Sequence, residues 1–295
     1  MTNIISSDII ERLKQATNGN PVIGDAIAEI ERLRKIAAHA KPKLFICLPA
    51  YGQQVTAQTC STLVNLVKFL TEQQMLGGFG TLSFPSITEL RNLFLSIWYY
   101  KVGTSHMLMI DNDMQFDVQL IVDMLAFDKP VLGALCPQRK LPIEYAGRAK
   151  PGECRVVNNF LEVDGVGGAI MMIKREAVDA IIAKYPDILD TKSPKNHAAK
   201  QLMEEQGITT LIRAFDEMKI DGEHFSEDLS FCKRAQGAGF DIWANIGHEI
   251  THVGPHEFKA RYLDQIKDQI KQPGQPQQLP APAPISAEVQ QFLEA

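Results

Sequence analysis

Apolar residues in the middle of this chain fall in short runs, each stopped by Pro, Gly or Asp and each followed by a stretch where apolar positions recur at three- and four-residue spacing. The run at 43–48 halts at Pro49-Ala50-Tyr51-Gly52 before helical spacing over 53–70. The run at 76–84 passes through Pro85 into helical spacing near 88–101, and the run at 107–110 passes through Asp111-Asn112-Asp113 into helical spacing near 118–127. A further run covers 131–135. Short apolar runs bounded by turn residues predict buried strands, and the spaced stretches predict amphipathic helices. Alternating strands and helices imply an α/β domain with a mainly parallel central sheet flanked by helices, whose ligands gather where strands end.

Toward the C-terminus the pattern changes. Periodicity weakens from Pro137 to Gly152; two strands are then expected at 160–163 and 169–173, around Asp164-Gly165-Val166-Gly167-Gly168, followed by a helix over 175–184. The stretch 186–207 is polar and is expected to contain a mobile loop. Ser226-Glu227-Asp228 opens a helix ending near 236, and 242–244 and 249–253 read as the last strands. Before the core, 7–40 carries a helical stripe with Ile23, Ile27, Ile30, Leu33 and Ala37. After it, the Pro- and Gln-rich stretch from 271 reads as an extended tether that does not pack as regular structure, with a short terminal helix at 286–295. The expected organisation is a helical leader (1–40), one catalytic-sized domain (41–270) and a tail (271–295), with leader or tail as the route to a homo-oligomer.

Composition narrows the function classes. With 295 residues and 45% hydrophobic side chains the chain can bury a full core, and a formal net charge of -5 offers no general attraction to nucleic acid or anionic membranes. The five cysteines, Cys47, Cys60, Cys136, Cys154 and Cys232, are widely spaced and form no C-x-x-C pair, so they read as structural thiols in a reducing, cytoplasmic setting. The N-terminal residues do not resemble a secretion signal, and no apolar run is long enough to span a membrane.

The candidate chemistry lies in the loops. Asp111 and Asp113, two apart after a buried strand, share a face and suit a hard divalent cation such as Mg²⁺ or Mn²⁺; an Asx-turn capping the next helix accounts for the tripeptide equally well. Pro49 and Tyr51 form either a nucleoside-holding loop or an ordinary proline turn. Ser86 and Glu89 read as a capping box, which puts Arg91 and Asn92 in the first turns of a helix, where Arg91 can meet a phosphate. Glu227 and Asp228 suit a helix N-terminus by dipole alone, and Asp228 can also take a proton from a hydroxyl. His248, His252 and His256 all lie where one of them can join a carboxylate-bound metal.

Taken together, these segments resemble the GT-A glycosyltransferases, especially the family-2-like group, over roughly 43–254. The matching pieces, in the family's order, are Phe45-Ile46-Cys47-Leu48-Pro49-Ala50-Tyr51, Leu90-Arg91-Asn92, the Asp-x-Asp of Asp111 to Asp113, and Lys129-Pro130-Val131-Leu132-Gly133. Further on come Gly167-Gly168-Ala169-Ile170, Ser226-Glu227-Asp228-Leu229, Gly239-Phe240-Asp241-Ile242-Trp243 and His252-Val253-Gly254. The resemblance implies a Rossmann-like GT-A fold and an enzyme of the EC 2.4 class moving a sugar from a nucleotide-diphosphate donor, with UDP favoured, to an acceptor hydroxyl. It implies donor contacts from Pro49, Tyr51, Arg91, Asn92, Asp111 and Asp113, a Mn²⁺ or Mg²⁺ ion held by Asp111, Asp113 and His252, and an acceptor wall including Gly167 and Gly168. Inversion with Asp228 as base, beside Glu227, is the expected stereochemistry. The acceptor is open among glycan, protein, metabolite and modified nucleic acid base. Two other readings stand beside it: a nucleotidyltransferase acting on a sugar phosphate, disfavoured because Pro49 to Gln54 holds one glycine and no lysine, and a non-catalytic module that only binds a nucleotide sugar.

Overall fold

The computed structural model describes residues 41–191, 197–254 and 256–267, together with Ile27 and Gln277–Gln278. The rest of the predicted leader and tail, including the terminal helix, lies outside the described residues.

From residue 41 the first element is β1 (Leu44–Pro49), every residue of which is buried, as expected of a strand covered on both faces. A short 3-10 turn at Tyr51–Gln53 leads to α1 (Ala57–Glu72), whose N-cap Thr56 accepts a hydrogen bond from the Thr59 amide. Next come β2 (Leu76–Leu82), α2 (Ile87–Lys101), the fully buried β3 (His106–Ile110), β4 (Met114–Gln115), α3 (Gln119–Phe127) and β5 (Val131–Ala134). Four short strands follow, β6 (Cys136–Pro137), β7 (Tyr145–Ala149), β8 (Glu153–Cys154) and β9 (Val156–Val157). The core then resumes with β10 (Phe160–Val166), β11 (Ile170–Lys174) and α4 (Arg175–Lys184).

Within the polar stretch 186–207 lie β12 (Leu189–Asp190) and α5 (His197–Glu205), an unpredicted helix with Ala199 and Met203 buried. Ala199 and Met203, four apart, seat this helix together with the partly buried Leu202, while Lys200, Gln201, Glu204 and Glu205 are polar. Then come β13 (Leu211–Ile212), the hairpin of β14 (Met218–Ile220) and β15 (Glu223–Phe225), α6 (Glu227–Gly237), β16 (Ile242–Asn245), β17 (Ile250–Val253), β18 (Glu257–Ala260) and α7 (Tyr262–Ile266). In the tail, β19 (Gln277–Gln278) pairs antiparallel with β8, so this part of the expected tether does enter regular structure by adding to an available edge.

The main sheet runs β2-β1-β3-β11-β5-β16-β10-β7-β6, with helices around it. It is mixed, which corrects the expectation of a mainly parallel sheet. β1 is parallel to both β2 and β3, and β5 is parallel to β16, but β11 enters antiparallel between β3 and β5 and β10 runs antiparallel to β16 and β7. β10 and β11, linked by only 167–169, are not neighbours: both run against the parallel β5–β16 pair that lies between them, so the chain passes from one to the other in the same direction without the crossover helix that parallel neighbours need. A second sheet, β18-β17-β4, stands beside the end of β3.

Two apolar clusters occupy the two faces of the sheet. One gathers Leu93, Phe94, Trp98, Val178 and Phe231; the other gathers Leu66, Leu70, Leu120, Met124 and Trp243. Arg175 ties α4 to the exit of α2: its guanidinium donates to the carbonyls of Tyr99 (2.9 Å) and Val102 (2.7 Å) and stacks over the Trp98 ring. A cation at a helix C-terminus satisfies carbonyls that have no partner within the helix. Four of the five cysteines are buried and Cys60 is at the surface. Among the described residues no helix is long and apolar enough to cross a membrane.

Candidate functional site

β3 ends at Ile110, and the backbone amide of Asp111 is held by the carbonyl of Ala169, 2.8 Å away, so the Asp111-Asn112-Asp113 turn and the start of β11 move as one piece. Asn112 does not face the carboxylates' chemistry. Its side-chain amide donates to the Gln54 carbonyl (2.6 Å), and its own carbonyl accepts from the Thr56 amide (3.0 Å). These two bonds lash the loop after β1 to the turn after β3. In that loop Pro49 is the buried last residue of β1, opposite Leu82, while Tyr51 is 72% exposed.

His252 meets Asp113 because of strand register. β17 pairs with β4 so that His252 lies opposite Met114, and the Val253 amide donates to the Asp113 carbonyl at 2.8 Å. The His252 Nε2 then stands 3.2 Å from Asp113 Oδ2, while its Nδ1 is 2.8 Å from the carbonyl oxygen of Pro137. A carbonyl only accepts, so Nδ1 carries a proton, and the lone pair of a neutral imidazole is left on Nε2 beside a carboxylate oxygen. Two electron-pair donors side by side call for a cation between them, either a proton or a metal. Of the three candidate histidines, His248 is instead paired with Asp123 (2.8 Å), and His256 is exposed.

Arg91, expected at a phosphate of the donor, is engaged by two carboxylates. Its side chain is only 4% exposed and is clamped between Glu227 Oε1 (from Nη1, 2.5 Å) and Asp111 Oδ1 (from Nη2, 3.5 Å), with Nε left unpartnered among the described residues. Asn92 is wholly buried and used at both ends. Its amide nitrogen donates to Asp216 (2.7 Å) and its oxygen accepts from the Phe215 amide (2.9 Å), so it anchors the 215–216 segment to α2. The capping box is half formed: Ser86 accepts from the Glu89 amide, but the Glu89 carboxylate pairs with Arg213 (3.0 Å) rather than reaching back, because a guanidinium outcompetes a backbone amide for it.

Asp228 sits at the start of α6. Its Oδ2 accepts from the Gly168 amide (3.1 Å), and its Oδ1 accepts from the Leu229 amide (2.8 Å) and the Ser226 hydroxyl. Gly168 is the joint between this carboxylate and Arg91. A Cβ there would come within 2.2 Å of the guanidinium carbon, and one on Gly167 would lie 3.0 Å from Ala146 Cβ. Gly168 therefore touches both partners through bare backbone, a role the expected acceptor wall did not anticipate.

Electrostatics show a site short of positive charge. Burial pushes the Asp111 carboxyl up, and the negative charge of Asp113 adds to this against the pull of Arg91. Glu227 is likewise pushed up, first by burial and then by Asp228, against Arg91. Four carboxylates, Asp111, Asp113, Glu227 and Asp228, face two guanidiniums, Arg91 and Arg139, the latter 3.4 Å from Asp113 Oδ2. With all of these ionised the formal balance is two negative charges in excess, which a divalent cation cancels.

Among the described residues, no group of three or more His, Cys, Asp or Glu side chains is gathered to hold a metal. Asp113 and His252 meet as a pair, whereas Asp111 is turned to Arg91. A carboxylate and an imidazole still fit an ion that takes the rest of its coordination shell from phosphates and water. Sequence reasoning gave no role to Arg139 or to the Pro137 carbonyl, which lie where the hydrophobic pattern is weakest.

No protein-family model matches the chain, and no curated protein sequence is similar to it. Solved structures similar in part include A197 from STIV, at 15% identity and a TM-score of 0.42 over 75% of this chain and 91% of that one. HddC from Yersinia pseudotuberculosis is similar at 6% identity and 0.26, over 46% of this chain and 79% of its own. A protein described as a glucose-1-phosphate thymidylyltransferase from Bacillus anthracis is similar at 13% and 0.27, over 55% and 82%.

Proposed function

We propose that this chain is a metal-dependent glycosyltransferase that moves a sugar from a nucleotide-diphosphate donor, UDP favoured, to an acceptor hydroxyl with inversion. The observation that carries the reading is the Asp113–His252 pair. Its Nδ1 is committed to Pro137, so Nε2 and a carboxylate oxygen face the same point, in a site with excess negative charge. Asp113 and His252 would hold Mn²⁺ or Mg²⁺, which when bound neutralises the charge on a departing diphosphate.

The protein's own groups supply the rest. Asp228 is oriented by the Gly168 amide and by bonds within its own turn, which leaves it lone pairs to take the acceptor's hydroxyl proton. As that proton moves to Asp228, the acceptor oxygen forms its bond to the anomeric carbon, and the bond from that carbon to the diphosphate oxygen breaks, its electron pair leaving with the diphosphate. Glu227 does not share this task. It holds Arg91, which holds Asp111 at the end of β3. The loop carrying Tyr51, stitched to Asn112, is the natural wall for the nucleoside.

A panel of UDP-, GDP- and TDP-sugars, with and without Mn²⁺ or Mg²⁺, tests the reading by thermal shift and slow donor hydrolysis. Metal-dependent stabilisation by one donor, lost in Asp113→Ala, is expected. Binding of a nucleoside triphosphate but of no nucleotide sugar would replace it with a nucleotidyltransferase. Donor binding with no turnover of any kind would leave a binding module.

A further inference from the structure

Arg139 has no part in the scheme above, yet two loops cooperate to place it. It lies between β6 and β7 in a segment folded back on itself, with the Gln138 amide donating to Glu144 (2.7 Å) and the Lys140 amide to Gln138 (2.9 Å). Its stem rests on Gly254, just past β17, where a Cβ would come within 2.8 Å of Arg139 Cδ and 3.7 Å of Cγ. Its guanidinium reaches Asp113 Oδ2, the oxygen that His252 also faces.

The two arginines of the site differ in what they have left to give. Arg91 is buried and already spans two carboxylates. Arg139 is half exposed, and a single ion pair of 3.4 Å is its one side-chain partner among the described residues. A long, solvent-facing pair is weak and exchangeable, and a guanidinium with most of its fork toward solvent is suited to paired phosphate oxygens. It also stands on the solvent side of the carboxylate where the positive charge is needed.

We infer that Arg139 contacts the diphosphate of the ligand and sets its affinity, and that Gly254 is glycine so that the Arg139 stem can lie against it. This rests on the transfer reading for the identity of the ligand, but not for its chemistry, since any diphosphate brought to Asp113 would meet the same guanidinium.

Calorimetric titration of the full chain in Mn²⁺ tests it with two probes, UDP and inorganic pyrophosphate. Arg139→Ala is expected to weaken both by a similar factor, about ten- to a hundredfold for lost hydrogen bonds to charged groups. Arg139→Lys should recover little, lacking the fork. Gly254→Ala should weaken both probes too, yet add nothing in the Arg139→Ala background, with melting temperatures confirming that each variant is folded. Affinities within twofold of the unaltered protein in Arg139→Ala overturn the inference, as does weakening of UDP alone, and additive effects of the two substitutions overturn the part given to Gly254. If the unaltered protein binds pyrophosphate but no nucleoside diphosphate, the transfer reading falls while the pyrophosphate arm still decides for or against Arg139. If it binds neither probe, both fall.

Discussion

Arg91 and Glu227, 136 positions apart in sequence, form an ion pair of 2.5 Å, and the second terminal nitrogen of the same guanidinium lies 3.5 Å from Asp111. One cation thus joins the helix after β2, the end of β3 and the start of α6. The end of β3 carries the proposed metal turn and the start of α6 the proposed base, so their separation depends on this side chain.

Removing that cation strands two carboxylates that burial already disfavours as anions. Arg91→Met is expected to lower the unfolding free energy by about 3–5 kcal/mol, as when one partner of a buried pair is lost. Adding Glu227→Gln should return part of this. Urea unfolding of the two single variants and the double variant checks it; additive losses would mean that the pair is not coupled.

Gly168→Ala puts a methyl group where the Arg91 guanidinium lies, and the Gly168 amide is tied to Asp228, which restrains the backbone from moving aside. A loss of about 1–3 kcal/mol is expected from overpacking, with a larger fall in sugar transfer than in donor binding, because Asp228 is displaced with the loop. Donor affinity and turnover measured side by side separate the two effects.

His252→Ala should weaken Mn²⁺ binding by at least about tenfold, read directly from the signal of free Mn²⁺ in electron paramagnetic resonance. His248→Ala, which removes a partner of Asp123 instead, should leave it unchanged. Equal effects of the two substitutions would remove His252 from the metal site.

Acid should weaken the fold through His106, whose imidazole is lowered from 6.5 to about 4, first by burial and then by Lys174. Above both values neither the folded nor the unfolded chain is protonated there, so the histidine has no effect. As pH falls from 6.5 toward 4, only the unfolded chain takes the proton, and stability drops with it. Between pH 7 and 4.5 this amounts to about 2–3 kcal/mol, measurable by urea unfolding. The His106→Gln variant should lose that much less over the same range.

The local periodicity of the chain was sufficient to determine its longer buried strands and most of its helices, but not the two-residue buried strands β6 and β13. The apolar runs now in β1 and β3, and the helical stretch of α4 over Arg175–Lys184, were all legible, because burial on one face or two leaves a repeat within a few residues. The placement of the Asp-x-Asp turn after a buried strand was legible for the same reason. Partner choice was not. Glu89 goes to Arg213 and Asn92 to the 215–216 segment, and His252 rather than His248 meets Asp113 because β17 pairs with β4 in one register. Nor did the strand pattern reveal that β11 enters antiparallel between β3 and β5, or that Gly168 leaves room for Arg91. Such contacts join residues far apart in the chain, and the composition around each end is compatible with several partners. Only the packed sheet, which sets which strand ends lie side by side, selects among them.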